Sequence, residues 1–106
     1  MYLARFLNKL IKDDGFILVD ANSVKYIIGN PKKEKPIILR LLDKKLHYKL
    51  LLRPDLYFGE AYSDGDVIIE NGSLSDFLDL ALMNIGRGEF NFFSQLINKL
   101  NGSYRY

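Results

Sequence analysis

Three short runs of β-forming residues follow one another closely, and this spacing limits the folds open to the chain. The runs cover residues 16–20, 24–28 and 37–42, and a short turn and one charged loop separate them. A parallel crossover of the βαβ type needs a dozen or more residues, so short connections favour antiparallel pairing. We therefore expect an α+β domain with a small antiparallel sheet of about four strands packed with helices, the fourth strand being residues 67–70.

Apolar residues at helical spacing mark the segments around these strands. The first segment predicts an amphipathic helix that ends near Gly15. Its apolar positions are Leu3, Phe6, Leu7, Leu10 and Ile11. We expect further helices over residues 44–53 and 55–62, a helix that Ser73 opens with Asp76 as its capping partner, and a last helix over residues 92–100.

The composition is that of one globular domain. A chain of 106 residues with 48% apolar and 26% charged residues can form a hydrophobic core, and it has no cysteine for disulfides or thiolate metal sites. Its longest apolar runs are far shorter than the ~20 residues of a membrane span. We expect residues 1–106 to form a single soluble domain in the cytoplasm.

Positive charge is concentrated in the first half of the chain. Residues 1–53 hold twelve Lys or Arg and five Asp or Glu, whereas residues 54–106 hold three and eight. A basic half is suited to an anionic membrane surface or, as a weaker alternative, to nucleic acid, but the default interpretation is that the two halves neutralise each other across the fold. Arg5, Lys9 and Lys12 flank the apolar stripe of the first helix and are candidate contacts to anionic headgroups, unless that stripe simply faces the core.

The chain offers no complete catalytic or metal site. His47 is the only histidine, which excludes a pair of histidine ligands, and we interpret it as a surface or half-buried side chain. Asp64, Asp66 and Glu70 lie close in sequence, but aliphatic residues occupy positions that a calcium loop needs for oxygen ligands, so we interpret them as turn acids. We therefore predict no catalytic, cofactor-binding or metal-binding residue.

One stretch carries a specific pattern. A leucine-rich helix leads into Pro-Asp-Leu, and Gly-Glu-Ala-Tyr, one variable residue and Asp-Gly follow. The fixed positions are Pro54, Asp55, Gly59, Glu60, Ala61, Tyr62, Asp64 and Gly65. The pattern resembles the amino-terminal region of cyclopropane-fatty-acyl-phospholipid synthases and their S-adenosylmethionine-dependent methyltransferase relatives. The similarity extends over nearly the whole chain, with departures at Ser63, where relatives often have Met, and at Asp66, where an aromatic residue is common.

The resemblance implies a function. In that family a carboxy-terminal catalytic domain binds S-adenosylmethionine and modifies unsaturated acyl chains of membrane phospholipids, and its glycine-rich loop is absent here. We therefore expect a non-catalytic amino-terminal domain, sterol-carrier-like by analogy, that helps to dock the catalytic domain at the inner face of the membrane. The implied partners are that catalytic domain and an anionic lipid surface, and a homo-oligomer stays open.

Two further expectations concern the role of the motif residues and the alternative functions of the chain. From their residue types we interpret the motif positions as structural rather than substrate-contacting, because Gly59 permits close backbone approach and Asp64-Gly65 favours a turn. The rival hypothesis is a freestanding lipid carrier or a protein-interaction scaffold. We expect no nucleic-acid partner, because the basic loop at residues 32–35 contains no aromatic residue for stacking on bases.

Overall fold

Four helices and a four-stranded sheet make up residues 1–85, the part of the chain that the computed structural model describes. In chain order the elements are α1 (Tyr2–Leu10), β1 (Gly15–Val19), β2 (Lys25–Gly29), β3 (Ile38–Leu41), α2 (Leu46–Leu52), α3 (Pro54–Asp64), β4 (Val67–Glu70) and α4 (Leu74–Ile85). The expected α+β class with four strands is confirmed. The helix expected over residues 92–100 lies outside the described residues.

The sheet is mixed, with the strand order β2-β1-β3-β4. The pairs β1–β2 and β3–β4 are antiparallel, but β1 and β3 run parallel, with Leu18 opposite Leu39. The expectation of an antiparallel sheet is therefore wrong for the central pair. Residues 30–37 connect the end of β2 to β3 without a helix, and they are long enough to cross the start of β1 and place β3 on its other side.

Burial explains why β3 pairs with β1 and not with β2. Phe16, Leu18 and Val19 are at most 1% exposed, as a central strand requires, whereas Lys25 of β2 is exposed and Ile27 is 68% exposed. A strand whose alternate residues remain in solvent suits the edge of a sheet. Connection length alone predicted antiparallel pairing throughout, because it took no account of how unequally β1 and β2 are buried.

The hydrophobic core lies between one face of the sheet and the helices. Leu18 and Leu41 are fully buried on that face, and buried residues from all four helices belong to the same apolar cluster. Phe77 of α4 connects the layers: its ring lies 5.1 Å from that of Phe16 in an edge-on arrangement and 5.6 Å from that of Phe58 in a stacked one. Each such aromatic pair adds about 0.5–1.5 kcal/mol to the apolar burial.

The free edge of β2 is closed by a side chain of α1. Asn8 accepts a hydrogen bond from the backbone N–H of Gly29 at 2.8 Å and donates one to the carbonyl of Ile27 at 3.3 Å. An open strand edge is a template for unwanted pairing with another strand. The Asn8 amide occupies two of the backbone groups that such a strand would use.

Candidate functional site

Helix α1 buries one side in the core. Leu3 and Ala4 are buried, and Leu7 and Leu10 pack against the core cluster. Most of the predicted apolar stripe is therefore core-facing, which was the alternative to a lipid-facing stripe. Phe6 is the exception, since 38% of it remains exposed.

The other side of α1 combines aromatic and basic residues. Tyr2 is 76% exposed, and Arg5 and Lys9 are exposed as well. At about 100° per residue, Tyr2, Arg5, Phe6 and Lys9 fall on one side of the helix, opposite the buried positions. Lys12 lies beyond the end of α1; its side chain is exposed, and its backbone N–H donates a hydrogen bond to Asn84 at 2.7 Å.

Helix α2 extends this surface. It packs beside α1, buries Leu46 and Leu50, and exposes Tyr48 and Leu52 by 68% and 75%. Because both helices bury their opposite sides in one core, their exposed sides belong to the outside of the same helical layer. We call the exposed side chains of these two helices the helical outer surface; its members are Tyr2, Arg5, Phe6, Lys9, Tyr48 and Leu52.

Acidic residues are concentrated in the last three described elements. Residues 54–85 contain seven Asp or Glu and no Lys or Arg, and they form α3, β4 and α4. Strand β4 is one edge of the sheet, whereas β2, which packs against α1, is the other. An ion pair between Arg40 Nε and Glu70 Oε1, which lie 2.7 Å apart, connects β3 to β4. The α1 part of the helical outer surface thus lies at the edge of the sheet opposite β4.

The family-like motif forms helix α3. Pro54 begins the helix, Asp55 follows it, and Asp64 is its last residue. Gly65 caps the helix in the left-handed conformation, with a φ of 81°, and its N–H reaches the carbonyl oxygens of the last turn. Left-handed backbone favours glycine, which has no Cβ to collide with its own carbonyl.

The side chains of the motif divide between the core and the solvent. Gly59 and Ala61 are buried, whereas Glu60 is exposed. Tyr62 is half-buried, and its ring stacks on that of Phe58 at 6.5 Å. Phe58 and Ala61 belong to the hydrophobic core cluster, and Tyr62 packs against it.

A cavity of about 230 Å³ lies between the start of β1 and helix α4. Its polar lining comes from Asp14, Lys33, Asp76 and Asp79. The Asp14 carboxylate accepts hydrogen bonds from the N–H groups of Gly15 and Lys32, and that of Asp76 accepts one from Ser73. For both acids the backbone hydrogen bond, from Lys32 and from Ser73 respectively, is the main cause of a lowered pKa. These carboxylates hold the turns and helix start around the cavity.

The sole histidine has a structural contact. His47 is half-buried in α2, and its Nε2 accepts a hydrogen bond from the N–H of Ala21 at 3.2 Å. The neighbouring Asp20 is 6% exposed and accepts hydrogen bonds in the turn between β1 and β2. Sequence reasoning missed Asp20, although an acid directly before an Ala-Asn-Ser turn is a typical acceptor for turn N–H groups.

Metal-ligating residues do not cluster among residues 1–85: no group of three His, Asp or Glu side chains is placed to hold an ion. Glu70 forms an ion pair with Arg40, and the hydrogen bond from Arg40 is the main cause of the lowered pKa of Glu70. Within the same residues, no helix has the length and apolar content to cross a bilayer.

The chain matches no protein-family model and no curated protein.

Proposed function

We propose that this chain is a non-catalytic, lipid-docking domain of a methyltransferase similar to the cyclopropane-fatty-acyl-phospholipid synthases. Its partner would be a carboxy-terminal catalytic domain that binds S-adenosylmethionine and acts on unsaturated phospholipid acyl chains. The domain would work at the cytoplasmic face of the membrane. The motif at residues 54–65 supports the family, and the helical outer surface supports the docking.

The observation that carries docking is the placement of Tyr2 and Phe6 on the same exposed side of α1 as Arg5 and Lys9. Tyrosine and phenylalanine partition into the headgroup region, while lysine and arginine meet anionic phosphates. Each basic residue near such a surface contributes about 1 kcal/mol, and salt screens this attraction over about a Debye length. The surface therefore favours weak, salt-sensitive binding to anionic lipid.

The cavity favours docking over the rival function of a lipid carrier. Its volume of about 230 Å³ is below the ~300–1,000 Å³ of typical ligand pockets. Its lining includes Asp14, Asp76 and Asp79, and burying an alkyl chain against carboxylates would strip them of solvent without a partner. This cavity is thus unsuited to an acyl chain.

Vesicle co-sedimentation tests the docking. We expect the full chain to bind phosphatidylglycerol-containing vesicles at low salt, to lose binding at high salt, and to bind pure phosphatidylcholine more weakly. Arg5→Glu/Lys9→Glu should weaken binding to the anionic vesicles by at least ~10-fold, since two charges are reversed at the surface.

A matched control separates this surface from net charge. Lys32→Glu/Lys35→Glu makes the same charge change in the exposed loop between β2 and β3, and it should leave most of the binding intact. Equal loss in both variants, equal binding to both lipids, or no binding to either would overturn the docking role.

The family assignment has its own test. We expect the isolated chain not to bind S-adenosylmethionine, because it lacks the glycine-rich loop that the family uses. Specific micromolar binding in isothermal titration calorimetry would contradict the assignment, as would a coding sequence that stops after Tyr106. A reading frame that continues into a strand followed by a glycine-rich loop would support it.

A further inference from the structure

The outer side of helix α2 carries exposed lysines beside its exposed apolar residues. Two of these lysines lie in the turn directly before the helix. The turn continues into the helix, because the carbonyl oxygen of Lys45 accepts the N–H of Lys49 at 3.0 Å. At about 100° per residue, the two lysines and the two exposed apolar residues fall within a sector of about 100° around the helix. We call these four side chains the α2 patch; its members are Lys44, Lys45, Tyr48 and Leu52.

The α2 patch lies opposite the buried side of the helix. Leu46 and Leu50 belong to the hydrophobic core cluster, whereas most of the surface of Tyr48 and of Leu52 remains in solvent. Large apolar side chains that are exposed on neighbouring turns form one patch rather than scattered positions, and such a patch is typical of an interaction site.

The two helices of the outer surface carry positive charge without acidic residues. Residues 2–10 contain two Lys or Arg, residues 44–52 contain three, and neither range contains Asp or Glu. Asp43, which precedes the patch in sequence, is half-buried, and its carboxylate accepts the N–H of Lys45 at 2.9 Å. The exposed sides of α1 and α2 are therefore complementary to an anionic surface.

Helix α4 has the opposite combination of charge and exposed apolar surface. Met83 is 54% exposed there, but Asp79, one turn earlier, and Asp76 are exposed on the same helix. An anionic bilayer repels acidic side chains. Among these helices, charge thus favours α2 over α4 as a contact for anionic lipid.

We propose that the α2 patch is a second lipid contact, so that the domain docks on an anionic bilayer through α1 and α2 together and not through α1 alone. Lys44 and Lys45 bind headgroup phosphates, while Tyr48 and Leu52 enter the layer between headgroups and acyl chains. This inference rests on the proposed docking function and adds an orientation to it. Because α1 and α2 pack side by side, two contacts prevent the domain from rotating about the axis of one helix.

The apolar members of the α2 patch favour a bilayer over a soluble anion. A free phosphate could pair with Lys44 or Lys45, but it offers nothing apolar to Tyr48 and Leu52. The surface layer of a bilayer offers both chemistries side by side, and it extends over the width of two helices. Entry of the patch into this layer is therefore the property to measure.

Tryptophan fluorescence of the full chain tests whether the α2 patch enters the bilayer. The chain contains no tryptophan, so Tyr48→Trp and Tyr2→Trp each introduce a single reporter, one in each helix. With vesicles of phosphatidylglycerol and brominated phosphatidylcholine at low salt, we expect both reporters to be quenched, because bromine on an acyl chain quenches only an indole close to it. Met83→Trp, on the acidic helix α4, is the matched control and should keep its fluorescence.

Charge reversal tests the two lysines of the patch. Lys44→Glu/Lys45→Glu should weaken binding to these vesicles by at least ~10-fold. Its circular dichroism spectrum should match that of the parent, since acidic side chains near a helix N-terminus are favourable. Lys32→Glu/Lys35→Glu makes the same charge change in an exposed loop and should keep most of the binding.

The possible outcomes separate the second contact from docking itself. Quenching of Tyr2→Trp alone, or normal binding by a folded Lys44→Glu/Lys45→Glu variant, would leave docking through α1 intact and overturn the second contact. A loss as large in the loop variant would also overturn it, since net charge would then be sufficient. Quenching of neither reporter would overturn both proposals. If Lys44→Glu/Lys45→Glu does not fold, the Tyr48→Trp reporter still decides.

Discussion

The side-chain amide of Asn84 forms paired hydrogen bonds with the backbone of Asp13, so that the last turn of α4 is fastened to the loop before β1. Its Oδ1 accepts the N–H of Asp13 at 2.6 Å and that of Lys12 at 2.7 Å. Its Nδ2 donates to the carbonyl of Asp13 at 2.9 Å and to that of Leu80 at 2.8 Å. One side chain thus fastens α4 to backbone groups that lie 71 and 72 residues earlier in the chain.

Asn84→Ala should therefore destabilise the domain. The substitution removes all four hydrogen bonds, and a typical intramolecular hydrogen bond contributes about 0.5–1.5 kcal/mol net, partly offset here by water at this half-exposed site. We expect the free energy of unfolding to fall by about 2 kcal/mol, measured by urea denaturation. Asn30→Ala, at an exposed loop position, is the control and should change stability little. Equal stability of the two variants would show that the Asn84 contacts contribute nothing.

Substitution of two glycines by the same residue should destabilise the domain to very different extents. A Cβ on Gly15 would collide with the carbonyl oxygen of Ile28 on the paired strand, whereas a Cβ on Gly65 would meet no atom within 4 Å. At Gly65 the cost is only the strain of a φ of 81°, about 1 kcal/mol for a residue with a Cβ. Gly15→Ala must separate β1 from β2, so we expect a loss of at least ~3 kcal/mol.

Thermal denaturation of the two alanine variants checks this order. Gly65→Asn should be milder still, because asparagine adopts the left-handed conformation more readily than alanine. Should Gly15→Ala melt at the same temperature as Gly65→Ala, the close pairing of Gly15 with β2 would be disproved.

Within the family-like motif, position 59 should matter more than position 63. Gly59 is buried in α3, whereas Ser63 is exposed one turn later. Gly59→Val introduces a β-branched side chain into a buried helical position and should cost about 1–3 kcal/mol through overpacking. Ser63→Ala should be neutral or slightly stabilising, since alanine has the higher helix propensity. Thermal melts that place both variants at the parent value would show that the motif is not structural.

Local sequence signals predicted the element boundaries well where turn residues flank them. Strand β4 occupies residues 67–70 as expected, because Asp64-Gly65 and Asn71-Gly72 punctuate both ends. The expected capping pair also forms: Ser73 N–H donates to Asp76 at 2.9 Å, and Asp76 N–H donates to the Ser73 hydroxyl at 3.1 Å. Both signals act over a few residues, so a single sequence is enough to read them.

Long-range relationships were not predictable in this way. The position of β3 beside β1 depends on β1 being more deeply buried than β2, which is a property of whole strands. The hydrogen-bond partners of Asn8 and Asn84 lie far away in the chain. Asparagine inside a helix is unfavourable without such a contact, so both residues carried a signal that helical periodicity overlooks. Gly15 does not cap α1 as expected, since the positive φ of 60° belongs to Asp14, and Gly15 is needed instead for close pairing with β2.

For the candidate docking site, the basic residues were predictable and the exposed aromatics were not. The spacing of Arg5 and Lys9 places them opposite the apolar stripe on any amphipathic helix. The exposure of Phe6 and of Tyr48 depends on how far the core extends around each helix. That limit is set by the neighbouring helices, which the local pattern of α1 or α2 does not contain.

Asp20 should make stability depend on pH. Its carboxylate accepts hydrogen bonds from Asn22 N–H at 2.8 Å, Val24 N–H at 3.0 Å and the Tyr26 hydroxyl at 3.2 Å. Burial raises the pKa of Asp20, but the hydrogen bonds from Val24, Asn22 and Tyr26 outweigh it, so the pKa lies below the ordinary value of 3.8. The ionised carboxylate therefore stabilises the fold above the unfolded pKa, and this contribution is lost as the pH falls through the lower folded pKa.

Asp20→Asn should then lower the free energy of unfolding at neutral pH by about 1.5–3 kcal/mol, the usual range for hydrogen bonds to a charged group. The difference from the parent should shrink as the pH falls below about 4, because the parent loses the same charge by protonation. Urea denaturation at neutral and at acid pH measures both quantities. Asp13→Asn is the control, since Asp13 is exposed and its carboxylate has no hydrogen bond within residues 1–85. If the difference in the free energy of unfolding between Asp20→Asn and the parent stayed the same at acid pH, the loss of stability would come from the shape of the asparagine side chain and not from the missing charge.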